Sequence, residues 1–439
     1  MSSIVINDTK GLATHDNDLS TDVGSTSLAD NVVFDRDGRP GRRRGFKDYS
    51  SNLPDFAPTQ LIASASQDQA YLHLDNGIWY HDGTRWLRKR CNTGASLLVP
   101  AACVASGNYL FVVTNSHVIH QYDLSTGTRV TLAGRFNVTG STDATGDAAR
   151  FHFPEGVCTD GTNLYVCDNF THIIRKVVIA TGVVTTLAGT AGASGSTDNT
   201  GAAARFSNPY GICYTGGNLY VCDYSNHTIR KIVASSGVVT TLAGTAGASG
   251  STDNTGAAAR FNTPRGICTD GTNLYVCDYG NHTIRKIVIS SGVVTTLAGT
   301  AGASGSTDAT GSAARFNNVD DVSISTDLAS IYVNEIGNDV IRKVVIATGV
   351  VTTPYGTAGS AGYTDGIGAA ARFTNPNGST VRSEGGNDVI YVCDGSNNAI
   401  RKIYTQTGYV STIDGATSGE AQASSGLPFA AAIIVGPSE

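Results

Sequence analysis

Charge is scarce in this sequence: Asp, Glu, Lys and Arg make up only 15% of its 439 residues. Such a chain, carrying 52 glycines, is neither a coiled coil nor a charged disordered polymer, and the glycines suit many tight turns. One Met stands against 18 Tyr, which leans the composition to sheet rather than helix. The net charge of −6 excludes the molecule as a whole from electrostatic nucleic-acid binding, so any such contact needs a local patch. Long apolar runs are missing too: the stretch from Pro428 to Gly436 is far too short to span a bilayer. The opening MSSIVINDTKGLATHDND has no basic head followed by an apolar stretch, so no secretory signal is expected and a reducing cytoplasm is the expected setting.

Catalytic signatures are also absent. There is no GxSxG, no HExxH, no P-loop and no GxGxxG at a strand–helix junction. The nine cysteines include no CxxC knuckle for zinc, and their odd number fits reduced thiols better than a disulfide framework. Cys158, Cys213 and Cys268 recur at one position, Cys167, Cys222 and Cys277 at another, which reads as small apolar filler. No catalytic residue, cofactor or metal ligand is expected, and the chain is expected not to be an enzyme.

What is present is a repeat. The Cys of LYVCD recurs every 55 residues, at 167, 222 and 277, and weaker copies follow in IYVNEIGNDVIRK and IYVCDGSNNAIRK. Each copy divides into four short runs, GICTD, LYVCD, TIRKI and GVVTTLAG, separated by turn residues such as the Asp-Gly-Thr-Asn of 160–163. LYV and GVVTTLAG do not alternate cleanly between apolar and polar, which fits sheets covered on both faces. The predicted fold is therefore all-β: a single β-propeller of four-stranded antiparallel blades. Five copies begin near 153, 206, 261, 316 and 373; residues 97–134 and 59–90 read as two degenerate ones, giving seven blades. The apolar segment 427–435 is a candidate for closing the ring against the first blade. The predicted boundaries are an N-terminal arm, 1–57, and a propeller, 58–439.

The linker GTAGASGSTDNTGAAARF supplies further expectations. Asp198 or Thr200 is placed to cap the short Ala202–Ala204 turn. Arg150, Arg205, Arg260, Arg315 and Arg372, with Asp143, Asp198, Asp253, Asp308 and Asp365, are expected to tie neighbouring blades. His172, His227 and His282 occupy a repeated turn and read as turn residues bonded to backbone; Asp168, Asp223, Asp278, Asp394 and Glu335 read as turn formers.

The strings F-x-x-P-x-G-I, N-L-Y-V-C-D-Y-x-N-H-T-I-R-K and G-V-V-T-T-L-A-G resemble the NHL repeat over about residues 100–414. Asn226-His227-Thr228 and Asn281-His282-Thr283 depart from that family in their third letter. The resemblance implies a propeller and no activity; such propellers often have six blades, the alternative count. Some related propellers are lyases or lactonases with axial metals, which needs His and acidic departures from the repeat at one strand position, and none is apparent.

The first ninety residues depart from the repeat. Arg36, Arg39, Arg42, Arg43, Arg44 and Lys47 form a basic stretch suited to an acidic partner or to DNA backbone. Residues 11–46, with their Asp-Asn-Val, Asp-Gly and Arg-Arg-x-Gly-Phe, are similar to the opening of the tail-nozzle proteins of short-tailed bacteriophages. That resemblance implies a virion structural protein, assembled in the host cytoplasm as a homo-oligomeric ring around the DNA exit channel. Its partners would be tail proteins (adaptor, fibres), with non-specific DNA-backbone contact and no membrane insertion. The alternative is a bacterial NHL-repeat ligand-binding or scaffold protein, favoured by a loop-lined pocket with aromatics at one end of the axis. The third reading is a metal-dependent lyase or lactonase.

Overall fold

The computed structural model describes residues 100–415 in full and short strands within residues 3–89. The chain divides into two compact units, Met1–Ser96 and Leu97–Glu439. In the first, the strands Pro58–Ala63, Ala70–Leu74, Gly77–His81 and Trp86–Lys89 form an antiparallel four-stranded meander. Residues 1–57, the basic Arg36–Lys47 stretch and the terminal 427–435 segment lie outside the residues described with side chains.

The second unit holds six antiparallel meanders, blades I to VI, starting at Pro100, Pro154, Pro209, Pro264, Val319 and Pro376. The first strand of each blade packs beside the first strand of the next, and that of blade VI (Pro376–Glu384) beside that of blade I (Pro100–Ser106). Six blades thus close the ring, one fewer than the predicted seven. Residues 58–89 have the strand rhythm of a blade, but no TD…AAARF linker follows them.

Closure needs no exchanged strand among the described residues. Blades I and VI share a core of Leu110, Val112, Tyr122, Val389, Tyr391 and Ile400. The Asp414 carboxylate accepts from the Tyr122 hydroxyl at 2.8 Å and from Arg129 at 3.0 Å. At the other seams the recurring residues interlock. Phe206, Ala204 and Val239 of one repeat meet Cys158, Tyr165 and Ile174 of the one before. All eight described cysteines are buried and free.

In blades II to VI a linker protects the exposed edge of the outer strand. The backbone N–H of Val239 donates to Asn199 O at 2.8 Å, and that of Thr241 to the Asp198 carboxylate at 2.9 Å. Thr200 does start the three-residue turn Gly201–Ala203, but neither it nor Asp198 caps it; Asp198 is committed elsewhere.

Its main partner is an arginine of the third strand, fully buried in five blades: Arg175, Arg230, Arg285, Arg342 and Arg401. Arg230 donates to Asp223 and Asp198, both at 2.7 Å, and to the carbonyls of Arg205 and Thr197, with Phe206 beneath its guanidinium. One side chain so locks strand, linker and core together. The carboxylates read as turn formers are the buried centres of these clasps. Asp223 also takes the N–H of Ser207, and burial pushes its carboxyl up to about 6 against the pull of Arg230. Arg205, like Arg150, Arg260, Arg315 and Arg372, instead bonds carbonyls of the short turn just before it. Asp143, Asp253, Asp308 and Asp365 repeat the role of Asp198.

The repeated histidines do bond to backbone, and their partners are on the next blade. Nδ1 of His172, His227 and His282 accepts the N–H of Asn208, Thr263 and Asn318 at 3.1, 3.0 and 3.1 Å. In blade V, Asp339 does the same for Asn375. Desolvation lowers the pKa of all three histidines. A protonated Nδ1 cannot accept, so these ties hold above the unfolded-state value of about 6.5 and are lost as pH falls through the lower folded value. The triple variant His172→Asp/His227→Asp/His282→Asp copies blade V. As pH falls below about 6.5, unfolding midpoints should show it losing less stability than the wild type, by at most roughly 1 kcal/mol per tie. Parallel pH curves for the two proteins would refute this assignment.

Candidate functional site

Five clasped blades are nearly interchangeable, so chemistry is to be sought where the copies differ. The second residue of each innermost strand is Ala101, Glu155, Tyr210, Arg265, Asp320 or Asn377. Flanking Pro and Gly are shared by four blades, whereas this residue never repeats.

Four of these side chains, Glu155, Tyr210, Arg265 and Asp320, meet near the axis. Arg265 of blade IV is ion-paired with Asp320 of blade V. The Tyr210 hydroxyl of blade III reaches Asp320 at 3.4 Å, skipping the blade between. Glu155 of blade II, from the opposite side of the ring, is close enough for Asp320 and Arg265 to act on its ionisation. The Arg265 guanidinium lies 3.6 Å from the ring centre of Tyr279, 5.0 Å from Tyr210 and 5.5 Å from Tyr224. Tyr224 and Tyr279 open the short turns after the second strands of blades III and IV, so the cluster sits at that end of the ring.

Glycine makes the convergence possible. A Cβ on Gly211 would stand 2.2 Å from the Arg265 carbonyl, and one on Gly156 2.1 Å from that of Tyr210. Without side chains there, inner strands approach closely enough for the preceding residues to meet. Blade V breaks this rule with Asp321, whose carboxylate takes the N–H of Ser379 on blade VI at 2.8 Å.

Electrostatically the mouth is close to neutral. Burial, then Asp320, push the Glu155 carboxyl up to about 8, with Arg265 pulling the other way, so it is protonated at neutral pH. Burial pushes Asp321 up to about 7. Asp320 is also raised by burial, and Arg265 opposes the rise. The Nε–H of Arg265 is buried without a partner.

Among the described residues, no three His, Cys, Asp or Glu side chains are grouped to hold a metal. No helix among them is long and apolar enough to cross a membrane. A second opening, of about 480 Å³, lies between blades V and VI and includes Asp327, Tyr332, Lys343, Tyr355 and Asp388.

Sequence reasoning saw no His or acidic departures at one strand position; Glu155 and Asp320 are two such departures, at the position that Tyr210, Arg265 and Asn377 hold in other blades. The signal was present as the middle letter of P-E-G, P-Y-G, P-R-G and P-N-G. Of the residues expected to act, the basic stretch Arg36, Arg39, Arg42, Arg43, Arg44 and Lys47 is outside the described residues.

Comparison with known proteins agrees with this architecture. A family model described as NHL repeat matches residues 206–232 and 261–287. Human NHL repeat-containing protein 2 is 30% identical over 189 residues, covering 40% of this chain and 26% of that protein. The Arabidopsis thaliana protein SUPPRESSOR OF QUENCHING 1, chloroplastic, is 27% identical over 240 residues, 52% of this chain and 22% of its own length. The chain thus spans about a quarter of the curated relatives it matches. An auxiliary nutrient binding protein from Bacteroides thetaiotaomicron shares the fold, with a TM-score of 0.53 and 16% identity over 72% of this chain and 70% of that one.

These relatives overturn the tail-nozzle reading. They are NHL repeat-containing proteins and a bacterial nutrient-binding propeller, none named as a virion part. The similarity to nozzle proteins rested on a loose pattern in residues 11–46, whereas the family model matches two copies of the recurring unit. Repeat, ring and relatives lead to one statement: the chain is a six-bladed β-propeller that carries NHL repeats at residues 206–232 and 261–287.

Proposed function

We propose that the propeller is a non-catalytic ligand-binding module, with the clasped blades as scaffold and the axial mouth as the binding end. One observation carries this reading: four blades share their flanking Pro and Gly, yet the residue between differs in each, and three of these, Glu155, Tyr210 and Arg265, meet Asp320 of blade V at a common centre. Residues that hold the ring recur, and a task other than holding the ring accounts for four different polar side chains in one place. Tyr210, Tyr224 and Tyr279 add aromatic surface at that end of the axis, the feature that favours a binder. The nutrient-binding propeller of the same fold is consistent with this use, although its likeness extends to fold alone.

A thermal-shift screen of the full chain against pooled small metabolites tests the reading. A stabilising ligand should bind at least about tenfold weaker, roughly 1.4 kcal/mol, to Glu155→Ala and to Asn377→Ala. The unfolding midpoints of the free variants should stay near that of the wild type. Undiminished binding by both would reject the axial mouth as the site.

A further inference from the structure

We propose that the axial mouth takes a neutral, polyhydroxylated ligand of the saccharide class, an inference that rests on reading this mouth as the binding end. The charged groups are already spent on one another. Arg265 is paired with Asp320, so an incoming anion would meet the Asp320 carboxylate and an incoming cation the Arg265 guanidinium. The tyrosine box formed by Tyr210, Tyr224 and Tyr279 would suit an ammonium group, but the protein's own Arg265 fills it.

What remains for a ligand is uncharged and polar. Glu155 offers a protonated carboxyl and Tyr210 a hydroxyl at the centre, and Asn377 holds the same strand position in blade VI. A protonated carboxyl and an amide both donate and accept, and the Tyr210 hydroxyl, whose proton points to Asp320, still accepts; every hydroxyl of a sugar can do either. A hydroxyl-rich ligand can engage them together without stripping water from a net charge, which is the costly step for an ion.

The proton on Glu155 makes the proposal directional. The groups facing it are Asp320 of blade V, Arg265 of blade IV, Tyr210 of blade III and, from its own blade, the Cys167 thiol; blades I and VI have the uncharged Ala101 and Asn377 at the same strand position. Its carboxyl ionises near pH 8, so a neutral ligand loses a donor above that pH and meets a desolvated negative charge instead. A cationic ligand would show the opposite slope.

The test is calorimetric and saturation-transfer titration of the full chain with D-glucose, D-galactose, D-mannose and maltose, set against the charged analogues D-gluconate and D-glucosamine. At least one neutral sugar should bind saturably, about tenfold tighter than either analogue. Its affinity should fall about tenfold between pH 7 and 9, the drop expected when a group titrating near 8 must stay protonated. Glu155→Gln, an amide that cannot ionise, should keep binding and flatten that profile, whereas Glu155→Lys should abolish it. Saturable binding of gluconate or glucosamine alone, altered by Glu155→Lys, would overturn the ligand class and leave the axial site standing. Sugar binding indifferent to both Glu155→Lys and Asn377→Ala would overturn the site itself. If none of the four sugars binds, the proposal falls.

Discussion

Arg230→Ala should destabilise the propeller by about 3–5 kcal/mol, while Arg205→Ala, in the linker before it, should cost less than about 1 kcal/mol. The two arginines differ in what their removal strands. Arg230 is fully buried against an equally buried Asp223, so truncation leaves an uncompensated carboxylate inside the protein. It also releases the carbonyls of Arg205 and Thr197 and frees Asp198, loosening the linker from the blade. Arg205 bonds the carbonyls of Ala202 and Ala204 near the surface, where water can replace it. The pairing with Asp198 adds little beyond geometry, because that carboxylate is 45% exposed. Urea midpoints of the two variants measure the contrast; equal losses would mean that the clasp is not where the ring's stability lies.

The second large effect concerns the glycines behind the mouth. Gly211→Ala should cost about 1–3 kcal/mol, since its Cβ would fall 2.2 Å from the Arg265 carbonyl and 3.0 Å from Gly266 Cα. Backbone must then move, and the backbone that moves carries Arg265. Ligand binding should therefore weaken together with stability, unlike in Arg205→Ala. Ala102 holds the matching place in blade I, so a ring can accommodate one Cβ where the neighbouring strand is set for it. A Gly211→Ala protein with unchanged midpoint and unchanged binding would show that close approach of the inner strands does not position the site.

Much of this architecture was legible in the sequence, and the failures have physical causes. The strands, the meander and the buried cysteines followed from a 55-residue period and from turn residues, both of which are local signals. The clasps were missed because Arg230 lies 7 residues after Asp223 and 32 after Asp198. In TIRKI an arginine looks like the polar face of a strand, and only three-dimensional closure buries it. Likewise, Asp198 read as a turn cap because its true partners are far along the chain. The blade count slipped because residues 58–89 have four strands of the right length but no following linker to lock them to another blade. The axial residues were overlooked for a different reason: comparison of the copies rewarded identity, and the informative letters are the ones that vary. As for the N-terminal basic stretch, its pattern suggested a nozzle protein, while the family match and the relatives are those of NHL-repeat proteins.

The most direct measurement is a crystal structure of the full chain with its ligand bound. Density should lie at the axis within hydrogen-bonding distance of Glu155, Tyr210 and Asn377, with the Arg265–Asp320 pair still intact. Density instead in the opening between blades V and VI, against Asp327, Lys343 and Asp388, would contradict the account.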